Sequence, residues 1–96
     1  MPVRDDYLYQ HISGSATTVV TGAACKLIRI VVNTTANAAT TVYNAPTSAL
    51  STSGVVGAVL KANIVENSYD YGIKFSSGLT VVTAGASDLT IVYANA

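Results

Sequence analysis

Threonine, valine, isoleucine and tyrosine come in short runs in this chain, and glycine, asparagine, serine or proline interrupts them at intervals of about 8–12 residues. That rhythm restricts the fold more than any other feature. Branched and aromatic side chains suit a pleated, half-buried surface better than the crowded surface of a helix. The residues that build helix surfaces, Glu, Lys, Gln, Arg and Met, are scarce. The spacing predicts an all-β fold, a sandwich or barrel of about eight strands. They are expected at Tyr7–Ser13, Ala16–Thr21, Ala24–Asn33, Ala39–Asn44, Gly57–Asn63, Tyr69–Phe75, Leu79–Thr83 and Asp88–Ala94.

Two of these segments alternate cleanly. Tyr69, Tyr71, Ile73 and Phe75 share one side of their strand, opposite Asp70, Gly72 and Lys74; Leu89, Ile91 and Tyr93 share another, opposite Asp88 and Thr90. Period two puts one side on a core and the other toward solvent. Ala24–Asn33 behaves differently, with Ile28, Ile30 and Val32 on one side and Cys25, Leu27 and Val31 on the other, around Arg29. Such a strand is central, carries a bulge that flips its register, or is covered by another subunit. Gly14-Ser15, Gly22-Ala23 and Ser77-Gly78 read as tight hairpin turns. The long Ala45–Val56 segment reads as a crossover between sheets or an exposed contact loop. Thr18–Ala24 is echoed by Thr80–Ala86, with Leu27 and Leu89 each following three residues later. Chance repetition in a Thr/Val/Ala-rich chain is one explanation, and two equivalent hairpins in pseudo-symmetric halves the other.

At 96 residues the chain is expected to be one domain, 7–96, behind a polar arm, 1–6. Small domains are commonly reinforced by disulfides or zinc, but one cysteine, Cys25, and one histidine, His11, supply neither. Oligomerisation is the other reinforcement. Charged residues make up 10% of the chain, five basic and five acidic, against about 25% in ordinary soluble domains. An uncharged surface of Thr, Ser, Asn, Ala and Gly suits packing against copies or a large partner. Arg4, Lys26, Arg29, Lys61 and Lys74 are scattered singly, so neither phosphate binding nor a nucleic-acid partner is expected. The polar start, with no apolar stretch behind it, and the short Leu27–Val32 run predict cytoplasmic synthesis and no membrane partner.

No constellation for catalysis, metal or cofactor emerges, and none is expected. His11 would have to serve as the base of any Ser-His-Asp chemistry. It continues the side of its strand that bears Tyr7 and Tyr9, where a sandwich or interface histidine is the ordinary reading. Cys25 precedes an apolar strand and reads as a small buried hydrophobe. Asp5, Asp6, Glu66, Asp70 and Asp88 lie in the arm, at strand edges or on polar sides and read as surface charge; Asp5-Asp6 lacks the spaced oxygen ligands of a calcium loop. Gly54-Val55-Val56-Gly57 has no Lys/Ser/Thr continuation and is no phosphate cradle. The Tyr-x-Tyr runs at Tyr7/Tyr9 and Tyr69/Tyr71 read first as core or rim, and otherwise as an exposed stacking platform or interface anchor.

His11-Ile12-Ser13-Gly14-Ser15-Ala16-Thr17-Thr18-Val19-Val20, then Ile30-Val31-Val32-Asn33-Thr34-Thr35, resembles the first half of small virion proteins of tailed bacteriophages. Phe75 to Asp88, ending at Val92-Tyr93, resembles their carboxy-terminal half; 37–67 is the least similar part. The resemblance implies a jelly-roll-like antiparallel β-sandwich, a homotrimer, and a place on the capsid surface or in a fibre or spike. A decoration (cement) protein would bridge copies of the major capsid protein; a head-fibre or tail-fibre module would bind a host receptor or glycan. The arm and one end of the sandwich would supply the contacts, with Arg4, Asp5, Asp6, Tyr7, Tyr9, His11 and Arg29 as candidate interface residues.

Overall fold

Strands form where branched and aromatic residues are densest, and they assemble into two four-stranded antiparallel sheets. The computed structural model describes residues 7–35, 38–47, 55–85 and 87–95. The strands are β1 (Tyr7–Ser13), β2 (Ala16–Thr21), β3 (Cys25–Thr34), β4 (Thr40–Asn44), β5 (Val55–Leu60), β6 (Ser68–Phe75), β7 (Leu79–Thr83) and β8 (Asp88–Asn95). The first sheet has the order β1-β8-β3-β6 and the second β2-β7-β4-β5. Buried side chains of both sheets form one cluster, with Leu27, Ile30, Phe75 and Ile91 from the first and Val42, Leu60, Leu79 and Val81 from the second. The arrangement is two-layered and sandwich-like, 17 Å across its thinnest direction, and stacked sheets lie about 10 Å apart.

Seven expected strands sit within a residue of their predicted ends or on them, but β5 does not. Sequence suggests Gly57–Asn63, whereas the strand runs from Val55 to Leu60. Gly57 does not begin the strand. It is an extra residue within it, between the pairs Val42↔Ala58 and Tyr43↔Val56. A β-carbon at Gly57 would stand 2.4 and 2.6 Å from the ring atoms Cζ and Cε2 of the buried Phe75. Glycine thus lets the second sheet close over the largest core side chain of the first. Beyond Leu60 the chain turns, and Asn63 adopts a left-handed conformation that asparagine tolerates.

The two-sided apolarity of β3 has two causes. The strand is central, between β8 and β6, and it carries an extra residue relative to β8, because Leu27↔Tyr93 is followed by Arg29↔Val92. Ile28 absorbs the slip. Cys25 and Leu27 before it and Ile30 and Val32 after it all reach the core, although they differ in parity. Facing β6, Leu27↔Ile73 is followed by Arg29↔Asp70, which adds one residue more, and Gly72 takes up the left-handed twist there at φ 67°. The odd side of β6 still faces inward, with Phe75 buried, Tyr69 and Tyr71 half-buried and Ile73 exposed on the sheet edge.

The tight turns are not hairpins. β1 pairs with β8 rather than β2, β2 with β7 rather than β3, and β6 with β3 rather than β7. Gly14-Ser15, Gly22-Ala23 and Ser77-Gly78 each carry the chain from one sheet to the other. Conversely, the Ala45–Val56 segment joins antiparallel neighbours, β4 and β5, and is not a crossover; its 48–54 part lies outside the described residues. The echoed segments are adjacent partners in the second sheet, with Thr18↔Val81 and Val19↔Thr80. Each leads across to one of two paired strands of the first sheet, β3 or β8, where Leu27 and Leu89 are both buried. The repeat is two equivalent sheet-crossing units rather than two hairpins.

Candidate interaction faces

Alternation on β1 sends Ile12 into the core and leaves Tyr7, Tyr9 and His11 on the outer side of the first sheet. Register then sets the neighbours of each. Tyr9 lies opposite Val92, Val92 opposite Arg29, and Arg29 opposite Asp70, forming one row across four strands. The next row is His11, Thr90, Val31 and Ser68. Neighbouring strands are about 4.8 Å apart, which puts the Tyr9 and Arg29 backbones about 10 Å from one another. Tyr7, Tyr9, His11 and Arg29 therefore share one face. Arg4, Asp5 and Asp6, the other candidate interface residues, lie outside the described residues. Tyr9 is 73% exposed, which removes it from the core that its Tyr-x-Tyr spacing first suggests.

The polar groups on this face are organised. Asp88 Oδ1 accepts from His11 Nε2 at 2.7 Å and from Asn33 Nδ2 at 3.0 Å, and Asn33 also donates to Thr90 Oγ1 at 3.2 Å. A carboxylate cannot donate, so His11 Nε2–H is the donor in this bond. Hydrogen bonds from His11 and then Asn33 hold the Asp88 carboxyl below its ordinary value. Arg29 Nε approaches Asp70 Oδ1 at 3.5 Å on open surface, where an ion pair adds little. Lys26 and Lys74 stand directly opposite one another at the far end of the face. The face presents two tyrosine rings, both signs of charge and an amide.

Cys25 is fully buried, and burial pushes its thiol up, as expected of a structural side chain. Among the described residues, no three His, Cys, Asp or Glu side chains are placed to share a metal ion. A small cavity lies among Val32, Thr40, Leu60, Ile64, Ser87 and Leu89, with room for about one water, some 10 Å³. Small-molecule pockets are about 300–1,000 Å³.

The outer side of the second sheet is a different surface, and sequence inspection passes over it. Its rows are Thr17–Val82–Thr41–Val59 and Val19–Thr80–Tyr43–Val56. Val19, Val56 and Val59 are 39%, 50% and 55% exposed. Thr80 is buried here, donating its hydroxyl to the Ala45 carbonyl at 2.9 Å. None of the four strands, ATTVVT, LTVVT, TTVYN and VVGAVL, contains a charged residue. Compared with known proteins, the chain matches no family model, no curated protein and no solved structure.

Proposed function

We propose that this chain is a structural virion protein of a tailed bacteriophage, a decoration (cement) protein that binds the outer capsid surface and bridges major capsid subunits. The observation that carries the reading is the strand order, β1-β8-β3-β6 over β2-β7-β4-β5. We read it as a jelly roll, because strands near opposite ends of the chain pair, β1 with β8 and β2 with β7, while most connections pass between the sheets. Jelly rolls recur in viral capsid and lectin domains. A fold hosts many functions, and the choice of a phage particle rests on the resemblance of segments in both halves of the chain to small virion proteins.

In this reading the protein is a homotrimer without catalytic activity or cofactor. It acts on the particle surface and not through nucleic acid or membrane. The arm, with Arg4, Asp5 and Asp6, and the face bearing Tyr7, Tyr9, His11 and Arg29 meet the capsid. Each contact is weak, and symmetric copies hold together by avidity. The test is the copy number and position of the chain in purified virions of the phage that encodes it. Stoichiometric copies at threefold or quasi-threefold positions, with stripped shells less resistant to heat, support the reading. Virions lacking the chain, or shells equally stable without it, overturn it.

Tyr9, the most exposed large hydrophobic side chain described, favours a second reading, a fibre or spike module that binds a host glycan or receptor. Binding on a glycan array that Tyr9→Ala abolishes would favour it, and a negative array with no adhesion to host cells would end it.

A further inference from the structure

We infer that the outer face of the β2-β7-β4-β5 sheet is where copies of this chain pack on one another. Charges that are scattered singly along the sequence are sorted by the topology. Every charged residue within a described strand, namely Lys26, Arg29, Asp70, Lys74 and Asp88, belongs to the first sheet. The second sheet holds none and offers Val19, Val56 and Val59 to solvent beside the half-buried Tyr43 and Val82. A surface that meets its own copy must be compatible with itself. The first sheet is not: its fixed charges of both signs, including the side-by-side Lys26 and Lys74, would have to be matched or buried. The strands of the neutral face bring no like charges together, with Lys61 standing just past the end of β5, and depletion of charge is the mark of an interface core.

The edges of the second sheet, β2 and β5, also lack charge and proline, the usual guards against added strands. Each carries a bulge instead, at Val20 and Gly57. A bulge breaks the ladder a neighbour would need, so the contact is face to face rather than edge to edge. Four strands about 4.8 Å apart and five or six residues long cover roughly 350 Å² per copy. A stable pair buries about 800 Å² per partner. Association through this face alone is therefore weak and strongly dependent on concentration.

The inference rests on the self-association in the proposed function and not on the capsid partner, so it is tested on the full chain in isolation. Sedimentation equilibrium from micromolar to millimolar concentration would compare the wild type with Val59→Lys on β5, Thr17→Lys on β2 and Ser68→Lys on the outer side of the first sheet. The wild type should self-associate. Val59→Lys and Thr17→Lys should each weaken association about tenfold or more, because each copy would bury an unpaired ammonium. Ser68→Lys should leave it unchanged, and circular dichroism should show all three folded. If Val59→Lys fails to fold, Thr17→Lys, at an exposed polar position, decides. A wild type that stays monomeric, lysine variants of the second sheet that associate normally, or an equal loss in Ser68→Lys would overturn the inference. Failure of the chain to bind capsid would touch only the proposed function.

Discussion

Gly57 and Phe75 show how one residue decides whether the layers close. The ring is buried to within 1% of its surface, and a methyl at Gly57 would overlap it. Gly57→Ala is expected to cost about 1–3 kcal/mol by overpacking, a fall of about 4–8 °C in Tm for each kcal/mol. Phe75→Leu in the same chain should recover part of that loss, which a double-mutant cycle by thermal melting would measure; strictly additive losses would mean that the two residues do not touch. Asp88 makes a second prediction at this scale. Its carboxyl is lowered in the fold by His11 and Asn33, so the stabilisation is complete above the unfolded carboxylate value and drains away as pH falls through the folded one. Tm should therefore drop on acidification below about pH 4, and Asp88→Asn should flatten part of that acid limb. An acid limb identical in the two proteins would show that the bonds to Asp88 carry no stability. The residue types were legible in the sequence, but the Asp88 network was not: Asn33 and His11 lie 55 and 77 positions from Asp88.

Elements were legible because alternation and turn chemistry are local, and β1, β2 and β7 run between the expected residues. Pairing was not, because a tight turn has much the same composition whether it closes a hairpin or passes between layers. Gly14, at φ 81°, looks like a hairpin glycine and performs a crossing. The irregularities are equally concealed. The slip at Ile28 is an apolar residue among apolar residues and leaves no mark in composition, while Gly72 reads as an ordinary outward residue of its strand and Gly57 as the first residue of one. Gly72→Val tests the bulge in β6, since a branched side chain at φ 67° meets the steric cost of a left-handed backbone. A loss of about 1–2 kcal/mol by urea denaturation is expected. A neutral result would show that β6 pairs with β3 without the bulge.

At the scale of the whole molecule, the described strands divide into one charged sheet and one neutral sheet. That division makes a thermodynamic prediction separate from the sedimentation test: Tm should rise with protein concentration, since a partner that binds only the folded state stabilises it by mass action. A Tm independent of concentration across the same range would count against association through any face. Sequence by itself determined the all-β class, the number of strands, the burial of Cys25 and the scarcity of charge, because propensity and alternation act between near neighbours. Tertiary structure alone decided which strands pair, which way the residues after the β3 bulge point, and that the charges within the described strands all fall on one sheet. These depend on contacts between distant segments, whose order around the core no local pattern records.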